Sequence, residues 1–281
     1  MMKKSRSIFG VVIFGYAFLY IPLISLVIFS FNASKNVSVW TGFSLQWYKA
    51  LFYNDQIISA FWNSLTVALF ASTLSVILGL FASLVIVKAS QFLGRNIFKG
   101  LVSAPLVMPE VLLGLSFLLL FVSLEDMIGW PTTGSLTTIA LAHTTIALAY
   151  VTAILTAQLG NVDESLTEAA LDLGASPLKA FFVITLPIIF PALMGGWLLA
   201  FVLSFDDVVI ASFVAGPEST TLPMMIFSSI RFGVSPEINA LATLIIFVIA
   251  GLIFVVGFLN QRQKNFLKPD PLSEEELEET D

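Results

Sequence analysis

The chain has 281 residues, of which 57% are hydrophobic and 11% charged, and its mean hydropathy is +0.94. That balance excludes a water-soluble globule, in which about a quarter of the residues are charged. The net charge of −6 comes from one end: seven of the 19 acids lie in Asp270–Asp281, and the remainder holds 13 bases against 12 acids, so no nucleic-acid partner is expected. With no cysteine, disulfides, thiol catalysis and cysteine metal sites are excluded as well.

A bilayer core requires roughly 20 consecutive apolar residues per helix. Six stretches qualify: Ile8–Phe31, Ala60–Val87, Gly100–Leu124, Leu136–Leu155, Pro191–Val214 and Ile238–Leu259. Each is continuous rather than alternating, which predicts helices and not a transmembrane barrel. The expected fold class is an all-α integral membrane protein with six transmembrane helices. It forms one domain over residues 1–265, followed by a solvated, disordered acidic tail over 266–281. A cytoplasmic N-terminus places Lys3, Lys4, Arg6, Lys88, Arg95, Lys99, Lys179, Arg262, Lys264 and Lys268 inside, and only Lys35, Lys49 and Arg231 outside. This positive-inside bias predicts a multi-pass protein with both termini in the cytoplasm, and the first segment reads as a retained helix.

After the first segment, the external loop Asn32–Ser59 carries Trp40, Trp47 and Tyr48, which suit an interfacial aromatic belt or, alternatively, contact with an external partner. The second segment is rich in small residues (Ser64, Thr66, Ser72, Thr73, Ser75, Gly79), the composition of close helix packing. In the third, Pro105 and Pro109 should bend or break the helix just before Glu110. That carboxylate lies roughly 15 Å deep at 1.5 Å per residue. It is read either as a paired structural group or as part of a water-filled path. His143, the only histidine, is expected to be a satisfied structural residue of the fourth segment. In the fifth, Ser204-Phe205-Asp206-Asp207 has apolar residues on both sides; its two acids either line a path for cations or cap a helix at a break. Beyond it, Met224–Ile230 suits a short re-entrant or interfacial helix. No constellation for catalysis or metal binding is present, and no phosphate-binding G-x-x-x-x-G-K-[ST] loop, so this chain should not hydrolyse ATP.

The long cytoplasmic loop 160–186 reads as two short helices. Ser165-x-x-Glu168 forms a capping box, Leu166, Ala169, Ala170 and Leu173 share one face, and Gly174 ends the first helix. Ser176 with Pro177 starts the second, Leu178, Phe181, Phe182 and Thr185 form its inner face, and Pro187 closes it. Such an elbow under a membrane bundle is shaped to transmit motion from a soluble partner.

Glu168, Ala169, Ala170, three residues, Gly174, nine residues, then Ile184-x-Leu186-Pro187 resembles without departure the signature loop of binding-protein-dependent ABC importer permeases. Ser30-Phe31-Asn32, Ala104–Glu110, Leu203–Asp207 and Gly233–Thr243 make the chain look most like the spermidine/putrescine permeases, and among them the putrescine-type second permease, over about residues 8 to 260. The resemblance implies the type I ABC importer permease architecture, with Glu168, Ala169, Ala170 and Gly174 in a coupling helix seated on an ATPase. It implies a heterodimer with a second permease, two copies of an ATP-binding subunit that hold ATP and Mg, an external polyamine-binding protein, and the bacterial inner membrane. This chain itself would carry no cofactor and no catalytic or metal site. A linear dication requires carboxylates and aromatic faces, which makes Glu110, Asp206 and Asp207, with Phe205 and Trp197, the expected substrate path. A permease for another small cationic or neutral solute, or a stand-alone secondary transporter, is the alternative; the membrane segments hold no Arg or Lys of the kind an anion site favours.

Overall fold

The computed structural model describes residues 2–36, 39–89, 92–232, 235–248 and 250–251. The end of the sixth segment, Gly233, Val234, Arg262, Lys264, Lys268 and the acidic tail lie outside the described residues. In chain order the helices are α1 (Met2–Ser30), α2 (Gln46–Phe52), α3 (Asp55–Lys88), α4 (Arg95–Ser103), α5 (Glu110–Ile128), α6 (Leu136–Gly160), α7 (Glu164–Asp172), α8 (Pro177–Ala180), α9 (Leu186–Phe205), α10 (Val209–Val214) and α11 (Leu222–Phe232). They are followed by α12 (Pro236–Val248). Apart from isolated bridges, regular structure among the described residues is helical. Five helical stretches are long and apolar enough to cross a membrane: Ile8–Ser30, Asp55–Lys88, Glu110–Ile128, Leu136–Gly160 and Pro177–Phe205. The described part of the sixth is shorter.

The chain divides into two compact units. One comprises the described residues up to Asn54 together with those from Ser235 onward. Its α1 exposes apolar side chains on every face, among them Phe9, Val11, Phe14 and Phe18, as a helix does that meets lipid or a partner all round. The loop after it folds around Asn32. The Asn32 side chain donates to the Val39 carbonyl (2.7 Å) and accepts from the Ser34 and Thr41 amides (3.2 and 3.0 Å), while its own carbonyl accepts from Trp47 Nε1 (2.7 Å). Tyr48 pairs with Ser30 (2.7 Å) and packs on Phe31, which stacks on Phe43. Trp47 and Tyr48 are therefore struts of the loop, with their polar tips partnered inside it, whereas Trp40 is 48% exposed.

The second unit, Asp55–Phe232, contains the bundle. Here α3, α6 and α9 pack along a seam of small side chains: Ala68, Ala71, Ser72, Ser75, Gly79 and Ser83 from α3 are all buried, as are Ala140, Thr144, Ala147 and Ala149 from α6. A Cβ on Gly79 would sit 2.7 Å from Val151 Cγ1, so the two helices approach where only hydrogen fits. Ser75 Oγ crosses this seam to the Thr144 carbonyl at 3.1 Å. In lipid the attraction between helices is van der Waals contact and hydrogen bonding, and small residues maximise both. Thr66 and Thr73, grouped with these by composition, are exposed instead.

Two spans are interrupted. The proline pair splits the third segment: α4 ends at Ser103, a 3-10 turn covers Ala104–Leu106, Pro109 is extended, and α5 starts anew at Glu110. The fifth segment differs from its expected bounds. It is helical from Pro177 to Phe205, breaks at 206–208, and resumes as the short α10. Pro187 does not close a loop helix. It lies in the first turn of α9, just after a π-helical turn over Phe181–Thr185, so the wider turn accommodates the donor a proline lacks. After the break three side-chain hydrogen bonds clasp the chain to the ends of the neighbouring helices. Ser219 Oγ donates to the Gly134 carbonyl (2.7 Å), Ser64 Oγ accepts from the Leu222 amide (2.7 Å), and Asn63 donates to the Thr220 carbonyl (3.0 Å).

Candidate functional site: a polar pocket at the helix break, and a helical elbow

The break after α9 is followed by a cap on the next helix. Asp207 accepts from the Ile210 and Ala211 amides (3.4 and 2.8 Å), satisfying the first free donors of α10. The same carboxylate lies 3.2 Å from His143 Nε2, and His143 Nδ1 lies 2.8 Å from Ser204 Oγ on the last turn of α9. The His143 side chain is 3% exposed and that of Asp207 12%. A histidine so placed, with both ring nitrogens partnered, satisfies the structural expectation made for it. It also lines a pocket, which the sequence did not suggest.

That pocket, about 370 Å3 with its open mouth included, is lined by Glu110, His143, Tyr150, Ser204 and Asp207, with Ile146, Ala147, Leu203 and Ile210 as its apolar side. Glu110 reaches it as the first residue of α5, where the helix N-terminus favours a negative charge. The two interruptions thus supply one carboxylate each to a single chamber, 97 positions apart in sequence. Of the expected path residues the structure brings Glu110 and Asp207 together. Asp206 is exposed and does not line the chamber.

Trp197 and Phe205 form part of a separate feature. Trp197, Phe201 and Phe205 stack successively along α9 with ring centroids 5.5 and 5.6 Å apart, and Phe61 meets Phe205 edge-on at 6.4 Å. Trp197 Nε1 donates to Thr73 Oγ1 at 3.2 Å. The row is half-buried. Phe201 belongs to it and was missed, although its spacing of four from both neighbours carried the signal.

The elbow at 160–186 is a second site. Asp163, not Ser165, caps α7: its carboxylate accepts from the Ser165 amide at 3.0 Å, and hydrogen bonding by the Ser165 side chain and then by that amide holds the acid below the ordinary carboxylate range. The helix starts two residues earlier than the capping box implied because Asp163 takes the cap position first. Its other end follows expectation. Gly174 is left-handed at φ +83°, its amide bonds the Leu171 carbonyl (2.9 Å), and the Ala175 amide bonds that of Ala170 (3.0 Å), the paired hydrogen bonds of a Schellman stop. Ser176 then caps α8 through the Lys179 amide, with Pro177 at its start. Of the expected inner face Thr185 is buried and Phe181 half-buried, whereas Leu178 is 71% and Phe182 55% exposed, and Ala180 is buried as well. The π-helical turn adds a residue per turn and rotates that pattern. Glu168, Ala169 and Gly174 stand exposed, and Leu166, Leu171 and Leu173 present apolar surface without cover in this chain.

A bundle with a polar chamber at its helix breaks, joined to a rigid exposed elbow, is built as the membrane-spanning part of a transport machine. Residues 75–267 match the family described as the binding-protein-dependent transport system inner membrane component, and the chain belongs to that family. It is 54% identical over 249 residues to the putrescine transport system permease protein PotI of Escherichia coli (strain K12), covering 89% of this chain and 87% of that one. It is 40% identical over 250 residues to the spermidine/putrescine transport system permease protein PotC of Haemophilus influenzae, covering 89% and 94%. Among solved structures it resembles a chain of a bacterial ABC transporter involved in import of the acidic polysaccharide alginate, with a TM-score of 0.70 at 15% identity over 93% and 97% of the two chains. That likeness is one of fold alone.

Proposed function

We propose that this chain is one of two membrane-spanning permease subunits of an ATP-driven importer for putrescine or spermidine. The observation that carries the reading is the 54% identity, over 89% of the chain, to a putrescine permease. The chemistry of the chamber supports it: Glu110 and Asp207 supply anionic oxygens to replace the hydration of an ammonium group, Tyr150 adds a ring and a hydroxyl, and Ile146, Ala147 and Leu203 suit a methylene chain. Both termini lie in the cytoplasm, and the acidic tail stays solvated there. The partners are a second permease, two copies of an ATP-binding subunit that hold ATP and Mg, and an external polyamine-binding protein. ATP binding closes the nucleotide subunits, α7 follows that motion, and the chamber turns outward to receive substrate; hydrolysis restores the inward-facing state. Substrate biases this cycle only through its different affinity for the two states.

The test is uptake of labelled putrescine into proteoliposomes holding the complex, with binding protein outside and ATP inside. Uptake is expected to need both additions and to be inhibited by unlabelled putrescine or spermidine. An assembled complex that turns over ATP yet takes up neither polyamine refutes the substrate assignment. In the same preparation Glu168→Ala, at the exposed face of α7, should lower binding-protein-stimulated ATP turnover roughly tenfold. Unchanged stimulation would remove Glu168 from the coupling surface.

A further inference from the structure

We propose that His143 is a positioning residue for translocation: it holds the Asp207 carboxylate in the chamber by bridging the two sides of the break in α9. The inference rests on the importer reading above and goes beyond it, since neither composition nor the acids of the path assign His143 a role.

An ionised carboxylate only accepts hydrogen bonds, so the ring nitrogen facing Asp207, Nε2, carries the proton. In the neutral imidazole Nδ1 is then an acceptor and Ser204 Oγ–H donates to it. The order Ser204 to His143 to Asp207 therefore has one direction, and it fixes the ring between the last turn of α9 and the first of α10. Asp207 already receives the Ile210 and Ala211 amides, and His143 is its third donor. A carboxylate has about four lone-pair sites, so roughly one remains for a cation in the chamber. Without His143 the two amides would still hold the cap. The carboxylate would then be free to turn about them, and the acceptor left for substrate would lose its fixed place.

Only packed apolar and small residues are needed to join α6 to α9, as Ala147, Val151 and Ala200 do. A polar, 3%-exposed ring at this position costs desolvation that packing alone does not require. Its benefit is geometric, and it is delivered to a side chain that lines the chamber.

Two amide variants separate a positioning role from a stapling one. In His143→Gln the longer side chain places a donor near the Nε2 position, toward Asp207. In His143→Asn the amide reaches only the Nδ1 position, toward Ser204. Polyamine uptake and its half-saturation are measured in the reconstituted complex with binding protein and ATP, with wild type run first. Wild-type uptake establishes that the substrate reading holds, so a failure of that reading shows in the wild-type arm alone. The expected result is uptake by His143→Gln within roughly threefold of wild type, and a maximal rate for His143→Asn lower by tenfold or more at equal assembly. Equal rates for the two variants, or a better His143→Asn, would overturn the proposal, because the contact with Ser204 would then be the one that matters. Should either variant fail to assemble, Ser204→Ala decides. It keeps the Asp207 bond on which the proposal rests, so the half-saturation concentration should stay within roughly twofold of wild type; a several-fold rise overturns the proposal, because the contact with Ser204 would then be the one that matters.

Discussion

Asp207→Asn is expected to reduce polyamine uptake by at least roughly tenfold while the complex still assembles. The substitution is nearly isosteric, and with its oxygen in the Oδ2 place it keeps the shorter bond from Ala211 and gives up the 3.4 Å bond from Ile210, so the cap on α10 is weakened but remains. What it removes is the charge, one of two carboxylates that face the chamber. It also puts an amide beside His143 Nε2, which replaces a charge-assisted contact with a neutral one. Asp206→Asn makes the informative comparison, because the same charge is lost one residue away on an exposed side chain outside the chamber. Its effect should be several-fold smaller. Equal loss in both variants would show that net charge near the C-terminal end of α9 matters and the chamber geometry does not.

Gly79→Leu is the substitution expected to damage the bundle most. Any Cβ there meets Val151 Cγ1 at 2.7 Å and Val151 Cβ at 3.2 Å, and the Thr152 amide nitrogen lies 3.4 Å away. The side chain of Val151 is itself fully buried, so it has no empty space to turn into. Overpacking of a filled seam costs about 1–3 kcal/mol and more when backbones must separate. A thermal unfolding midpoint roughly 5–10 °C below wild type is expected for the solubilised complex. Gly195→Leu on α9, where nothing lies within 4 Å, should shift it far less. Similar midpoints for both would mean that α3 and α6 are free to move apart.

Much of the fold was written locally and could be read locally. Apolar length marked the spans, Pro105 and Pro109 marked the break before Glu110, and Gly174 with Ser176-Pro177 marked the elbow's stop and restart. These signals act through a residue's own backbone or its next turn, and they survive without knowledge of neighbours. What was not legible depended on partners distant in sequence. His143 and Asp207 are 64 positions apart, and no periodicity in either helix announces their contact. The burial of Trp47 hangs on the carbonyl of Asn32, which a count of aromatic residues cannot supply. The inner face beyond Pro177 was misread for a different reason. A helical wheel assumes a constant pitch, and the π-helical turn over Phe181–Thr185 alters that pitch where the pattern was being counted.

The continuity of Pro177–Phe205 has a mechanical consequence. Its 29 residues make a stiff rod of about 43 Å, longer than the roughly 30 Å hydrocarbon layer, with the elbow fastened at one end and Asp207 just past the other. A rod tilted by about 5° at its elbow end carries its far tip sideways by roughly 4 Å, close to the width of a methylene chain. Amplification of that size needs no separate moving part between elbow and chamber.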